Sequence, residues 1–298
     1  YGFPQDMLTD PDVQMIAVLT PHDIHYRNTL EVLNAGKHAW VEKPLATDFN
    51  AASELCDYAS VHGLGLVVDS MMRNNAMHQE AVRIIDSGEL GKIWRVETNM
   101  EFGWNPDSDP GSERTFRNTE SDFEGGGAAW DVLVHCMYMA QMLGRKDISK
   151  VEHATFGPNV HDVKPHQTIY ADYRLGSGED SVFAQSHCSF VTYLPGFTGL
   201  LFRAFGSEGI IEGFGTMFQH SETDPKGNNQ HLVVSGANPR TITTQNLVDR
   251  GIEVPNIYTP EIDRLAKPIA LGESLPIDRG AADLVKWVHE ALLLATYN

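Results

Sequence analysis

Over the first 70 residues apolar and polar positions alternate in blocks. Met15-Ile16-Ala17-Val18-Leu19 is a continuous apolar run closed by the turn pair Thr20-Pro21, the pattern of a short strand buried on both faces. Ile24, Leu30, Val32 and Leu33 then recur at helical spacing, which predicts a helix over about 23–35 with Gly36 as its left-handed stop. His38-Ala39-Trp40-Val41 predicts a second strand. Thr47 is the expected N-cap of a second helix, whose Leu55, Tyr58 and Ala59 form an apolar stripe ending at Gly63, and Leu64 to Val68 predicts a third strand. Strands joined by helices through short connections imply right-handed crossovers and a parallel sheet.

The rhythm then changes. A helix is predicted over about 76–87 and a strand over about 92–102; a polar loop, 103–124, leads to Gly125-Gly126-Gly127 and a further helix. From about 151 onward alternation dominates, as in HQTIYADYRL and SVFAQSHCSFVTYL, which predicts a mostly antiparallel sheet. A last helix, about 280–296, carries Leu284, Val285, Val288, Ala291 and Leu292 on one face and is expected to pack back on the body.

Composition narrows the functions. With 22 basic and 40 acidic residues, 22 − 40 gives a formal charge of −18 over 298 residues, which disfavours nucleic acid and anionic membrane as partners. Cys56, Cys136 and Cys188 form no C-x-x-C pair, so a reducing compartment is expected. No apolar run approaches the roughly 18 to 20 residues that span a bilayer, and the opening YGFPQDMLTDPDV lacks the pattern of a signal peptide. The expected location is the cytoplasm.

Several side chains stand where chemistry is done. Lys43 follows a buried strand at the carboxyl edge of a parallel sheet, where open α/β folds place ligands; its alternative is a solvated loop lysine. Asp131 and His135, four apart, share a helix face; their alternative is a core histidine satisfied by a helical carboxylate. The histidine pairs His22/His25 and His161/His166 have no H-E-x-x-H pattern and no nearby cysteine, so no metal is expected. The loop 103–124 holds Trp104, Asn105, Arg114, Arg117 and Asn118, an aromatic among hydrogen-bonding groups suited to a sugar, or else a solvated loop or oligomer contact. No G-x-G-x-x-G turn occurs anywhere in the chain.

Thr20-Pro21-His22-Asp23-Ile24-His25, Ala35-Gly36-Lys37-His38 and Val41-Glu42-Lys43-Pro44-Leu45-Ala46, followed by Gly125-Gly126-Gly127, Asp131, His135 and Leu143-Gly144, resemble in order and spacing the motifs of the glucose-fructose oxidoreductase / inositol dehydrogenase / MocA family. Ile85-Asp86-Ser87-Gly88-Glu89-Leu90-Gly91 and Leu275-Pro276-Ile277-Asp278 extend the resemblance over nearly the whole chain. It implies a partial Rossmann-like parallel-sheet domain, residues 1–71, and a larger α+β domain with a mostly antiparallel sheet, residues 72–298. The implied activity is hydride transfer between NAD or NADP and a carbohydrate or polyol hydroxyl. Lys43 would sit near the reacting hydroxyl, His135 would act as general base, and Asp131 would hold the imidazole and favour its charged form. Thr20, Pro21, His25, Glu42, Lys43, Pro44 and Arg73 would line the cofactor side, and Trp104, Arg114, Arg117 and Asn118 the substrate side. A homo-oligomer, dimer or tetramer, is also implied. The family's glycine-rich strand–turn–helix has no counterpart here, so a chain that is a fragment and one that has lost its pyrophosphate site are both open. Two rival readings are a redox-neutral, NAD-dependent glycoside-cleaving enzyme of the same family and a non-catalytic sugar-binding or structural subunit.

Overall fold

The computed structural model describes residues 4–101, 120–160, 163–191, 199–215, 230–254 and 256–297. After a short helix α1 (Pro4–Thr9), strands β1 (Met15–Val18), β2 (His38–Val41) and β3 (Leu66–Val68) form a parallel sheet in the order β1-β2-β3. Val18 pairs with Val41 and Val41 with Val68, so the carboxyl ends of the three strands finish level. Helices α2 (His25–Asn34) and α3 (Phe49–Val61) are the crossovers. The first helix begins later than its periodicity predicts, because His22–Ile24 form a 3-10 turn ahead of α2. Asp48, not Thr47, caps α3: its carboxylate accepts the Ala51 backbone N–H at 2.9 Å, an acceptor that the helix N-terminus also favours by charge.

The second sheet has β4 (Ile93–Glu101), β5 (Ile148–Phe156), β6 (Thr168–Leu175), β7 (Val182–Ser189), β8 (Gly199–Gly206), β9 (Ile210–Gly215), β10 (His231–Ser235) and β11 (Arg240–Thr243), in the order β11-β10-β9-β8-β4-β7-β6-β5. It is antiparallel except where β4 and β7 run parallel. Helices α4 (Ala76–Asp86) and α5 (Val134–Gly144) pack on one face of this sheet. The other face leaves Trp94 51% and Tyr170 38% exposed.

Two helices, α6 (Thr244–Asp249) and α7 (Tyr258–Leu271), lie where the pattern predicts strand or nothing; the first is six residues long and the second has Pro268 inside it. The chain then returns to the first sheet. Leu66 N–H donates to the Pro276 carbonyl, Asp278 N–H donates to the Leu66 carbonyl, and the Asp278 carboxylate accepts Val68 N–H at 2.9 Å. The last helix, α8 (Arg279–Tyr297), packs against both α3 and β5 and so ties the parallel sheet to the larger one. Among the described residues no helix is long and apolar enough to cross a membrane.

Candidate active site

Lys43 lies two residues beyond β2, before a cis peptide bond to Pro44. Its backbone N–H donates to the Glu42 carboxylate at 2.9 Å, so Glu42 fixes the backbone from which the lysine springs. The side chain runs into the molecule, with only 5% of its surface exposed, and Nζ donates both to Asp131 Oδ1 at 2.7 Å and to the Asp131 carbonyl at 2.8 Å. The solvated-lysine alternative is thereby excluded.

Asp131 sits in a π turn, Ala129–Leu133, that feeds directly into α5. Such turns are rare and concentrate at functional sites. Here one residue turns both its carboxylate and its carbonyl to the same ammonium. The turn is anchored from both sides: Trp130 donates from Nε1 to the Asp122 carbonyl at 2.6 Å, and Asp122 in turn accepts the His166 backbone N–H at 2.8 Å.

His135 is buried on the first turn of α5, and its Nδ1 lies 3.0 Å from the Tyr138 hydroxyl. The Asp131 carboxylate bonds to the Lys43 ammonium, while its charge still favours the protonated form of the His135 ring. Burial pushes the His135 pKa well below the ordinary histidine value, the Lys43 cation pushes it further down, and Asp131 only partly opposes them. The ring is neutral at pH 7.

The β1 loop supplies a further histidine. His22 Nδ1 bonds to the Gly125 carbonyl at 2.8 Å, and Nε2 lies 3.8 Å from Asp131 Oδ1. Burial first, and the Lys43 charge second, hold it neutral as well. His25, expected on the cofactor side, points inward: its ring nitrogens lie 2.6 Å from the Pro44 carbonyl and 2.5 Å from the Thr20 carbonyl, so it clamps the Thr20-Pro21 turn to the Lys43-Pro44 turn and leaves no ring nitrogen for a ligand. Arg73 lies with its guanidinium 5.5 Å from the centre of the Tyr138 ring, close behind His135. Trp104, Arg114, Arg117 and Asn118 lie outside the described residues.

The residue reading missed three groups. His22 is weighed from the sequence only as a metal ligand paired with His25, and no role beside Lys43 follows from that. The residue pattern assigns Tyr138 no role, although its place three residues after His135 on a helix is the available signal. Asp69, at the carboxyl end of β3, is 2% exposed, and its buried Oδ1 has no hydrogen-bond partner among the described residues. Burial, with Glu42 and Glu261 nearby, pushes its carboxyl up to about 8.

The groups present fit the reacting end of a nicotinamide and its substrate. An ammonium and an imidazole meet at the carboxyl edge of the parallel sheet, with the buried Asp69 beside them. Thr20, Pro21, Glu42 and Pro44, at the ends of β1 and β2, would hold the cofactor there. Among the described residues no group of three or more metal-type side chains converges.

Two family models match most of this chain. The model for an oxidoreductase family with an NAD-binding Rossmann fold matches residues 2–70, and that for the GFO/IDH/MocA C-terminal domain matches residues 78–212. A 1,5-anhydro-D-fructose reductase of Ensifer adhaerens is 27% identical over 72% of this chain and 61% of its own length. A D-glucoside 3-dehydrogenase of Escherichia coli is 31% identical over 51% of this chain and 42% of its own. The chain thus spans between 39% and 61% of the length of the first curated relatives it matches. Among solved structures, an aldose-aldose oxidoreductase of Caulobacter crescentus superposes with a TM-score of 0.74 at 22% identity, covering 96% of this chain and 79% of that one. A 3-ketoreductase of Actinomadura kijaniata, solved with NADP and TDP-benzene, superposes with a TM-score of 0.77 at 20% identity, covering 98% and 81%. The order of elements, the matched models and the relatives together place this chain in the Gfo/Idh/MocA family of NAD(P)-binding oxidoreductases.

Proposed function

We propose that the chain provides the site for hydride transfer between a nicotinamide and the carbon of a carbohydrate or polyol hydroxyl. The observation that supports it most is the Lys43 ammonium, buried and fixed on Asp131 at 2.7 Å in the company of a neutral, buried His135. NAD or NADP, when bound, gives or receives the hydride. A carbon that changes between C–OH and C=O also exchanges a proton at its oxygen, and Lys43 and His135 are the groups suited to handle it. Asp131 aims the Lys43 side chain, Glu42 holds its backbone, and His25 ties the turn beneath it to β1. The sugar-acting relatives support the substrate class.

We also propose that the open face of the eight-stranded sheet, with Trp94 and Tyr170 exposed on it, mediates self-association. The test of the activity is a panel of aldoses, ketoses and polyols with NAD(H) and NADP(H), scored both for cofactor turnover and for product. Cofactor conversion in step with substrate supports net oxidoreduction. Cleavage of a glycoside with no net change in cofactor would instead indicate the redox-neutral reaction.

A further inference from the structure

We propose that Tyr138 is a positioning residue that holds His135 as its Nε2–H tautomer, so that the site presents two donors to the reacting oxygen and recognises the carbonyl form of its substrate. This rests on the oxidoreductase reading above.

Tyr138 stands one turn beyond His135 on α5 and is 1% exposed. Its oxygen accepts the Met72 backbone N–H at 3.2 Å. The phenol hydrogen therefore needs an acceptor of its own, because a buried donor is seldom left unpaired. Among the described residues the acceptor within reach is His135 Nδ1, 3.0 Å away, with the two rings in a T-shaped contact at 5.5 Å between centres. An Nδ1 that accepts carries no proton. The charges that face the His135 ring are Lys43 and Asp131, and those that face Tyr138 are Arg73, Asp69 and Glu261. The ring is neutral, so its single proton resides on Nε2. That nitrogen has no hydrogen-bond partner among the described residues.

Lys43 supplies the second donor. An ammonium has three hydrogens; two go to the Asp131 carboxylate and carbonyl, and the third is uncommitted among the described residues. A hydroxyl both donates and accepts, whereas a carbonyl oxygen only accepts. Two donors with no acceptor complement C=O, and the alkoxide that develops from it, better than C–OH. In the reducing direction a bound reduced nicotinamide would supply hydride to the carbonyl carbon, and the π pair of the C=O bond would move onto oxygen. That oxygen takes a proton from Lys43, and the resulting amine regains a proton from water. His135 keeps its proton throughout and contributes a hydrogen bond that strengthens as negative charge builds. The general-base role that the family resemblance gives to His135 passes to Lys43.

The test uses the 298-residue chain with nitrogen-15 in its histidines, examined by long-range proton–nitrogen correlation, with the His135 signals identified by their loss in His135→Gln. The expected pattern at neutral pH is a protonated Nε2 and an unprotonated Nδ1. In Tyr138→Phe the population moves toward the Nδ1–H tautomer, and kcat for carbonyl reduction falls at least about tenfold while KM stays within about twofold. A wild-type ring protonated on Nδ1 or on both nitrogens overturns the proposal, as does an unchanged pattern or kcat in Tyr138→Phe. If Tyr138→Phe does not fold, the wild-type spectrum decides by itself. A wild-type chain that turns over neither NADH nor NADPH counts against the oxidoreductase reading, while the spectrum still decides the tautomer.

Discussion

Among the described residues one partner positions the Lys43 side chain, since the carboxylate and the carbonyl of Asp131 take two of its three hydrogens. Replacing Lys43 by Met keeps most of the side-chain volume and removes the charge. Turnover should fall at least about tenfold with the fold intact by circular dichroism. Asp131→Asn should act through Lys43, loosening its position, and lower kcat in the same direction. A kcat unchanged from the wild type in both variants would remove Lys43 from the chemistry. At this scale the sequence was partly legible. Lys43, Asp131 and His135 stood out by their place after a strand and their spacing, but spacing on a regular helix pairs Asp131 with His135. The π turn, which no residue pattern announces, brings Asp131 onto Lys43, and Tyr138 supplies the hydrogen bond to the histidine.

The element that makes this possible is the turn from Ser121 to Gly127 leading into the π turn. Gly126 has no room for a side chain, since a Cβ there would lie 2.2 Å from the Glu120 carbonyl oxygen, and Gly127 has φ +75° with the His166 carbonyl 2.7 Å from where its Cβ would be. Gly126→Ala or Gly127→Ala should therefore cost on the order of 1–3 kcal/mol by chemical denaturation, and should disturb the His22–Gly125 contact and with it the site. At α4, Asn75 accepts the backbone N–H groups of Met77 and His78 and donates to the Gln230 side chain, all within the core. Asn75→Ala should cost about 1–2 kcal/mol, since it removes a cap and leaves Gln230 short of a partner. A midpoint unchanged by Asn75→Ala would contradict this account of the helix start. Most elements of the two sheets were readable from period and turn residues, because burial on one or both faces enforces those periods. Helix α7 was not, because Pro268 and exposed Ile262 and Leu271 blur its stripe.

Across the whole molecule the buried ionisable groups set the response to acid. Burial holds His78 down to about 4, so its neutral form is favoured by folding; that contribution is complete above the ordinary value of 6.5 and is lost as pH falls from there toward 4. Burial raises the Glu80 carboxyl, and hydrogen bonds from Arg83 and Arg250 outweigh this and bring it to about 2. Its contribution is present above 4.5 and is lost as pH falls toward 2. His22 and His135, also held neutral, act in the same direction. Asp69, held up to about 8, opposes them, because its neutral form gains stability as pH falls from there toward 3.8. In Asp69→Asn the melting temperature should therefore decline below about pH 6.5, and equal values at pH 5 and pH 7.5 in that variant would contradict the burial of these groups. Self-association, if it uses the open sheet face, should weaken in Trp94→Asp by analytical ultracentrifugation, and an unchanged sedimentation profile would place the contact elsewhere. The claim on which the rest depends is hydride transfer at Lys43. Its most direct test is to incubate the chain with nicotinamide cofactor deuterated at the transferable position and a panel of sugar carbonyls, and to examine the products by mass and by NMR. One deuterium on the newly formed C–H carbon with the wild-type chain, and at least about tenfold less with Lys43→Met, is the predicted result. Deuterium transfer that survives Lys43→Met undiminished, or no transfer to any carbonyl of the panel, would contradict it.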